Sequence, residues 1–183
     1  MSTARLREEA PPILVVAPSR LGWIALIGAG KTLKQLTFGH ASSRAAIRAL
    51  DPGLRAAAEP GDWNAQLVRR LQDYASGQPV DFRDVRIDTQ GLTAFQRRVT
   101  AQCRKIAYGE VRTYGRLAAL AGSPRAARAV GNCMAANRFP LIVPCHRVLP
   151  ASGRPGAFSA PGSTAMKQRL LAMEAGRRGT PRR

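Results

Sequence analysis

The chain has 183 residues, 45% of them hydrophobic, and a formal net charge of +18. That length supports a real core, in one domain or two small ones, while no stretch approaches the roughly 20 apolar residues of a membrane span. The apolar run Ile13–Ala17 is too short and too acidic in its flank for a signal peptide, so the expected location is the cytoplasm, and three irregularly spaced cysteines with two histidines make neither a disulfide framework nor a zinc pattern.

The charge is unevenly placed. Met1 to Asp88 carries 12 Lys/Arg and 9 Asp/Glu, whereas Thr89 to Arg183 carries 17 Lys/Arg against Glu110 and Glu174 alone. A half that is nearly all cationic points to a polyanionic partner; the plain alternative is a solvated surface with a basic tail (Arg177, Arg178, Arg182, Arg183). The first ten residues read as a loose arm. Ile13–Ala17, Gly22–Ile27 and Thr32–Phe38 are short alternating or β-branched runs separated by Pro18-Ser19-Arg20 and Gly28-Ala29-Gly30, the pattern of a three-stranded antiparallel meander. Gly30-Lys31-Thr32 resembles the end of a phosphate-binding loop, but Ala25 stands where that motif needs glycine. Ala41–Leu50 and Trp63–Ala75 have helical spacing, with Trp63, Leu67 and Leu71 on one face. Pro79–Asp88 reads as an extended crossing segment. The charge shift there divides the chain into a 1–88 α/β part and an 89–183 part that is mostly helical, an α+β organisation overall.

In the second part, Thr93–Ile106 is helical and Thr93 can cap it. Thr113 can cap Tyr114–Ala121, which Gly122 ends. Ser123 and Pro124 then read as the cap and first position of another helix running to about Asn137. Two helices joined by a short glycine-containing turn make a helix-turn-helix. In the second of them Ala126, Val130, Cys133 and Asn137 fall on one face, and Ala127, Gly131 and Ala135 form a stripe of small residues. Small side chains admit close approach, either of another helix or of a nucleic-acid backbone. Arg125 and Arg128 stand near the N-terminus, where helix ends attract phosphate; the competing reading is a packed helix with two solvated arginines.

Leu141-Ile142-Val143 reads as a short buried strand leading into Pro144-Cys145-His146-Arg147-Val148. A free thiol with a pKa near 8.5 is only a few per cent thiolate at neutral pH. A neighbouring imidazole can take its proton, and a carboxylate can fix that imidazole's tautomer. Glu174, on a terminal helix over Met166–Ala175, is one of two acids in this half and can face inward.

Pro144-Cys145-His146-Arg147-Val148, preceded by Ile142-Val143, resembles the active-site motif of the O6-alkylguanine-DNA alkyltransferases. Gly109-Glu110-Val111-Arg112-Thr113-Tyr114-Gly115-Arg116-Leu117-Ala118, the arginine-bearing stretch Pro124–Gly131, Asn137 and Leu170-Leu171-Ala172-Met173-Glu174 resemble further family motifs, in order and at compatible spacing from about Gly91 to Gly176. The resemblance implies that Cys145 accepts an alkyl group from a guanine flipped out of duplex DNA, with His146 as its base through a water and Glu174 orienting His146. It implies that Asn137 braces the cysteine loop and Tyr114 hydrogen-bonds the guanine, while backbone groups at Cys145, Val148 and Ser159 read its edge. Arg128 enters the base stack, and Arg125, Ala126, Ala127 and Gly131 lie on the DNA-binding helix. The implied partner is double-stranded DNA carrying alkylated guanine, met by a monomer without cofactor or metal; some relatives bind zinc through N-terminal cysteines that this chain lacks.

Three positions depart from the family pattern. Phe158 stands where tyrosine is usual, the loop over Ser159–Ala165 is two residues longer, and Thr100 replaces a usual tryptophan. Cys103 and Cys133 are expected on inward helix faces. Three other readings compete. A non-catalytic binder of alkylated DNA would lack the acceptor cysteine. A transcription regulator would offer Asn, Gln and Arg to base edges along its second helix. A cysteine hydrolase would need an oxyanion hole and a water-labile acyl intermediate.

Overall fold

The computed structural model describes residues 10–156, 158 and 160–176. The N-terminal arm, Ser159 and the four arginines of the basic tail lie outside those residues, apart from the arm's last residue, Ala10.

Strands β1 (Ile13–Ala17), β2 (Trp23–Ala29) and β3 (Thr32–His40) form the expected antiparallel meander. Gly28 in β2 is required by its neighbour: a Cβ there would lie 2.1 Å from the ring of Trp63. Helices α1 (Ser43–Arg48) and α2 (Pro52–Ala57) follow, each capped by the side chain before it, Ser42 or Asp51.

The sheet departs from the strictly antiparallel, three-stranded expectation. A two-residue strand β4 (Glu59–Pro60) pairs parallel to β1, giving a mixed sheet of order β3-β2-β1-β4. The Glu59 N–H donates to the Pro12 carbonyl at 3.1 Å and the Gly61 N–H to Leu14 at 3.2 Å. Pro60 has no N–H to offer, which suits an edge strand. A two-residue strand carries no periodicity, so nothing in the sequence marks it.

Helix α3 (Ala65–Ala75) buries Leu67, Leu71, Tyr74 and Ala75. Trp63 stands ahead of it, with Asn64 as the cap, and its indole N–H donates to the Gly30 carbonyl at 2.8 Å. The crossing segment then runs along β3: the Leu33 N–H donates to Arg86 and the Asp88 N–H to Leu33, both at 2.8 Å. Helix α4 (Ala94–Arg104) starts on a reciprocal Thr93–Gln96 capping box.

Helices α5 (Tyr114–Leu120) and α6 (Ala127–Ala135) form the helix-turn-helix, and α7 (Ser163–Ala175) closes the fold. Strands β5 (Arg112–Thr113) and β6 (Val148–Leu149) pair in parallel beside them. Helix α6 begins four residues after Ser123 rather than directly at it. The Ala126 N–H bonds the Ser123 carbonyl at 2.9 Å, making a turn through Pro124 and Arg125, and no side chain caps α6. Cys133 is half-buried, whereas Cys103 is fully buried as expected. Leu141–Val143 is not a strand. It is a buried turn in which Leu141 takes the left-handed conformation (φ 72°) and Pro140 bridges to Val143. Prolines at 140 and 144 bracket only three apolar residues, too few to extend. One contiguous set of buried side chains, from Leu21 and Phe38 through Tyr74 to Val130, Cys145 and Leu170, joins the two parts of the chain.

Candidate active site

The buried turn delivers Pro144, and Cys145–Arg147 form a single 3-10 turn before β6. The Cys145 N–H bonds Val143 and the Arg147 N–H bonds Pro144, at 2.7 and 2.9 Å. This tight geometry fixes three consecutive side chains with different tasks.

Cys145 is 2% exposed. Its Sγ accepts a hydrogen bond from Asn137 Nδ2 at 3.1 Å. The same amide donates to the Val143 carbonyl at 2.9 Å, and Asn137 Oδ1 accepts from the Phe139 N–H at 2.9 Å. Asn137 thus ties the end of the helix-turn-helix to both sides of the cysteine turn.

His146 is fully buried. Its Nε2 lies 2.9 Å from Glu174 Oε1 and 3.2 Å from the Tyr74 hydroxyl. Glu174 is saturated with donors. Arg147 gives it Nε at 3.0 Å to Oε2 and Nη2 at 2.9 Å to Oε1, the Gly109 N–H adds 3.0 Å to Oε2, and the Tyr74 O–H donates to Oε1 at 2.5 Å. Burial alone would push this carboxyl up, but hydrogen bonds from His146 and Arg147 hold it well below the usual carboxylate range. An ionised Glu174 accepts only, so His146 Nε2 carries the proton and Nδ1 keeps its lone pair. Nδ1 is buried with no hydrogen-bond partner among the described residues. It is the basic atom of the residue that follows Cys145.

Burial pushes the Cys145 thiol up from its ordinary value, against the Asn137 hydrogen bond and the Lys167 charge. Burial also lowers His146, against the pull of Glu174. Both shifts favour the neutral pair, thiol and imidazole, at rest. Lys167 is buried as well; its Nζ donates to the Val148 carbonyl at 2.7 Å and lies 5.8 Å from the Tyr114 ring centre.

The sulfur opens on a cavity of about 190 Å³ walled by Tyr114, Lys167, Phe158 and the α6 residues Gly131, Met134 and Ala135. That is below the ~300–1,000 Å³ of drug-sized clefts and suits one flat ring. Phe158 stacks edge-on against both His146 and Phe38. A second hollow of similar size lies behind the loop, against Pro144, Arg147 and Arg104, but the acceptor sulfur is not in its wall.

Of the residues expected at the site, Asn137 bonds Cys145 and Glu174 bonds His146, two pairs joined through the Cys145–His146 backbone, and Tyr114 and Gly131 face the cavity. Val148 stays behind it: its N–H bonds Cys145 and its carbonyl accepts from Lys167. Arg125 and Arg128 are exposed at the start of α6, with Ala126 and Ala127 half-buried beside them. Sequence reasoning gave no role to Tyr74, Arg147 or Lys167. Arg147 lies inside the Pro144–Val148 motif itself, and that place beside His146 is the signal the sequence offers. Among the described residues, no group of three His, Cys, Asp or Glu could hold a metal ion, and no helix is long and apolar enough to cross a membrane.

Comparison with known proteins points the same way. Residues 94–176 match the family model described as "6-O-methylguanine DNA methyltransferase, DNA binding domain". The methylated-DNA--protein-cysteine methyltransferase of Mycolicibacterium paratuberculosis is 43% identical over 117 residues, covering 64% of this chain and 67% of the relative. The crystal structure of the Mycobacterium tuberculosis O6-methylguanine methyltransferase superposes with a TM-score of 0.78 at 33% identity, over 93% of this chain and 96% of that one. A structure of the M. tuberculosis protein in complex with DNA gives 0.76 at 34% identity, over 90% and 93%.

Proposed function

Because the chain belongs to the O6-alkylguanine-DNA alkyltransferases, the methylated-DNA–protein-cysteine methyltransferase family, we propose that it repairs DNA by moving the alkyl group of an O6-alkylguanine onto Cys145. The observation that carries this reading is a buried thiol at the wall of a base-sized cavity, backed by an imidazole whose tautomer a carboxylate fixes.

In this mechanism the damaged guanine leaves the stack and enters the cavity, which costs a few kcal/mol and costs least for a poorly paired base. Exposed Arg128 fills the gap left behind, and Arg125 with the N–H groups of the uncapped α6 terminus holds phosphates. Ala126, Ala127 and Gly131 let the DNA approach α6 closely. The Cys145 proton passes to His146 Nδ1 through a bridging water, and Glu174 stabilises the imidazolium. The sulfur then forms a bond to the alkyl carbon while the carbon–O6 bond breaks. The electron pair goes to O6, and the guanine is protonated with the help of the Tyr114 hydroxyl. Backbone groups at Cys145 and Ser159 read the base edge; Val148 lies outside the cavity wall, its N–H and carbonyl engaged by Cys145 and Lys167. The resulting thioether has no bond that water can cleave, so each molecule acts once. We further propose a cytoplasmic monomer divided at 88/89, the second part carrying the reacting sulfur and the DNA helix.

The direct test is whether the protein alone returns O6-methylguanine in duplex DNA to guanine; an unchanged duplex overturns the reading. Arg128→Ala refines it. The variant is expected to slow duplex repair by about tenfold or more, the unstacking energy no longer being offset, and to leave transfer from free O6-benzylguanine unchanged. Equal losses on both substrates would assign Arg128 to the cavity rather than to base extrusion. The pH profile gives a further check. His146 must be neutral to act as base, and burial lowers its pKa, so the acid limb of the transfer rate is expected below the ordinary 6.5. A limb at or above 6.5 would mean that the base is a different group.

A further inference from the structure

The α3 helix belongs to the part of the chain that carries no reacting sulfur, yet its Tyr74 reaches the bonded network behind Cys145. The residue is fully buried near the end of α3. Its hydroxyl donates to Glu174 Oε1 at 2.5 Å and lies 3.2 Å from His146 Nε2. Two aromatic neighbours hold the ring edge-on, Phe82 with centres 5.9 Å apart and Tyr108 at 6.0 Å. We propose that Tyr74 is a positioning residue for alkyl transfer, locking the Glu174 carboxylate and the His146 ring in the one orientation that keeps the proton on Nε2 and leaves Nδ1 as the free base.

The proposal rests on the reading of Cys145 as acceptor and His146 as base. Its physics is that of a shared oxygen. Glu174 Oε1 takes bonds from Tyr74, His146 and Arg147. The arginine bonds both carboxylate oxygens and fixes the plane of the group. The phenol contacts both the oxygen and the ring nitrogen, so it constrains their relative angle. It also moderates the carboxylate. A charge-assisted O–H···O⁻ bond at 2.5 Å is a strong one; it draws electron density from Oε1 and restrains the pull of Glu174 on the His146 proton. The groups facing His146 are Tyr74 from α3, Glu174 and Lys167 from α7, and Cys145 and Arg147 from its own turn, with the apolar ring of Phe158 beside it. Tyr74 and Glu174 are the two that bond Nε2.

Tyr74→Phe removes the hydroxyl and keeps the ring. Glu174 retains its other donors and no buried donor loses its partner, so the variant is expected to fold, with a single cooperative urea transition lowered by no more than one lost hydrogen bond. Benzyl transfer from free O6-benzylguanine to the full-length protein, followed across pH, then reads the effect without any DNA step. On the plateau the variant is expected to be about tenfold slower, the size of one well-placed hydrogen bond. Its acid limb should move to higher pH, because an unrestrained carboxylate binds the imidazolium more tightly; nuclear magnetic resonance titration of the His146 ring should move the same way. Both changes are required. A slower variant with an unmoved limb and an unmoved titration overturns the proposal, since a merely structural loosening would do that, and so does an unchanged rate. If the unsubstituted protein itself transfers no benzyl group, the acceptor reading fails instead.

Discussion

Cys145→Ala is expected to transfer nothing, on DNA or on free O6-benzylguanine, at any incubation time. The unsubstituted protein, given excess O6-methylguanine DNA, should gain the mass of a single methyl group, on the peptide containing Cys145, and then stop. The reason is chemical. Displacement at a saturated carbon needs a strong nucleophile, and among the described residues Cys145 is the thiol on the cavity wall; Cys103 is fully buried away from it, and burial holds its pKa well above the ordinary range. DNA binding by the variant should be retained, because the phosphate contacts proposed for Arg125 and the α6 terminus do not involve the sulfur. Intact-mass spectrometry decides the matter. A methyl group appearing on the alanine variant, or continued turnover by unsubstituted protein, would contradict the acceptor assignment.

The second large effect concerns the fold as much as the chemistry. Glu174→Ala strips the acceptor from the Arg147 guanidinium, the His146 Nε2 proton, the Tyr74 hydroxyl and the Gly109 N–H at once. The two charged side chains are only 1% and 7% exposed. Removing one member of such a pair leaves a buried charge uncompensated and costs about 3–5 kcal/mol, a large share of the ~5–15 kcal/mol that holds a typical domain together. Urea unfolding should show this as a markedly lower midpoint, with transfer lost at temperatures where the parent protein works. Acid sensitivity should change too. The folded pKa of Glu174 lies below the ordinary 4.5, so its contribution is complete above 4.5 and fades as pH falls toward the folded value. His146, lowered from 6.5, adds a loss of the same sign beginning below that pH. The parent should therefore lose stability on acidification through both windows, and the alanine variant should lack the lower one. A midpoint within experimental error of the parent would show that the ion pair contributes nothing.

Much of this site could be read from the chain because its chemistry is local. Cys145, His146 and Arg147 are consecutive, Asn137 is eight residues from the sulfur it bonds, and the inward face of α7 follows from Leu170 and Glu174 lying four apart. Tyr74 was hidden for the opposite reason. It is 72 residues from His146 and 100 from Glu174, and it continues the buried stripe of Leu67 and Leu71. Helical periodicity gives it a buried face and says nothing of what its hydroxyl meets. Lys167 carries no such signal in the sequence, where a lysine ordinarily reads as exposed; only the folded chain shows its ammonium bonded to the Val148 carbonyl. The fold errors have equally particular causes. Leu141–Val143 reads as a strand because a short apolar run carries no period, whereas the chain there turns sharply at Leu141. Ser123-Pro124 has the composition of a helix start, but a turn closing on Ala126 uses those residues first, so α6 begins at Ala127.

A molecule that works once must keep until it is needed. Oxidants, disulfides and stray electrophiles consume thiols in proportion to their exposure and to the fraction present as thiolate. Cys145 offers little of either, being 2% exposed and shifted by burial toward the protonated form. The same walls that shape a seat for one base keep casual reagents out. Peroxide or glutathione disulfide meets the half-buried Cys133 more readily than the acceptor. The sluggishness of the resting thiol is thus a form of shelf life, protecting the sulfur through the interval between synthesis and damage.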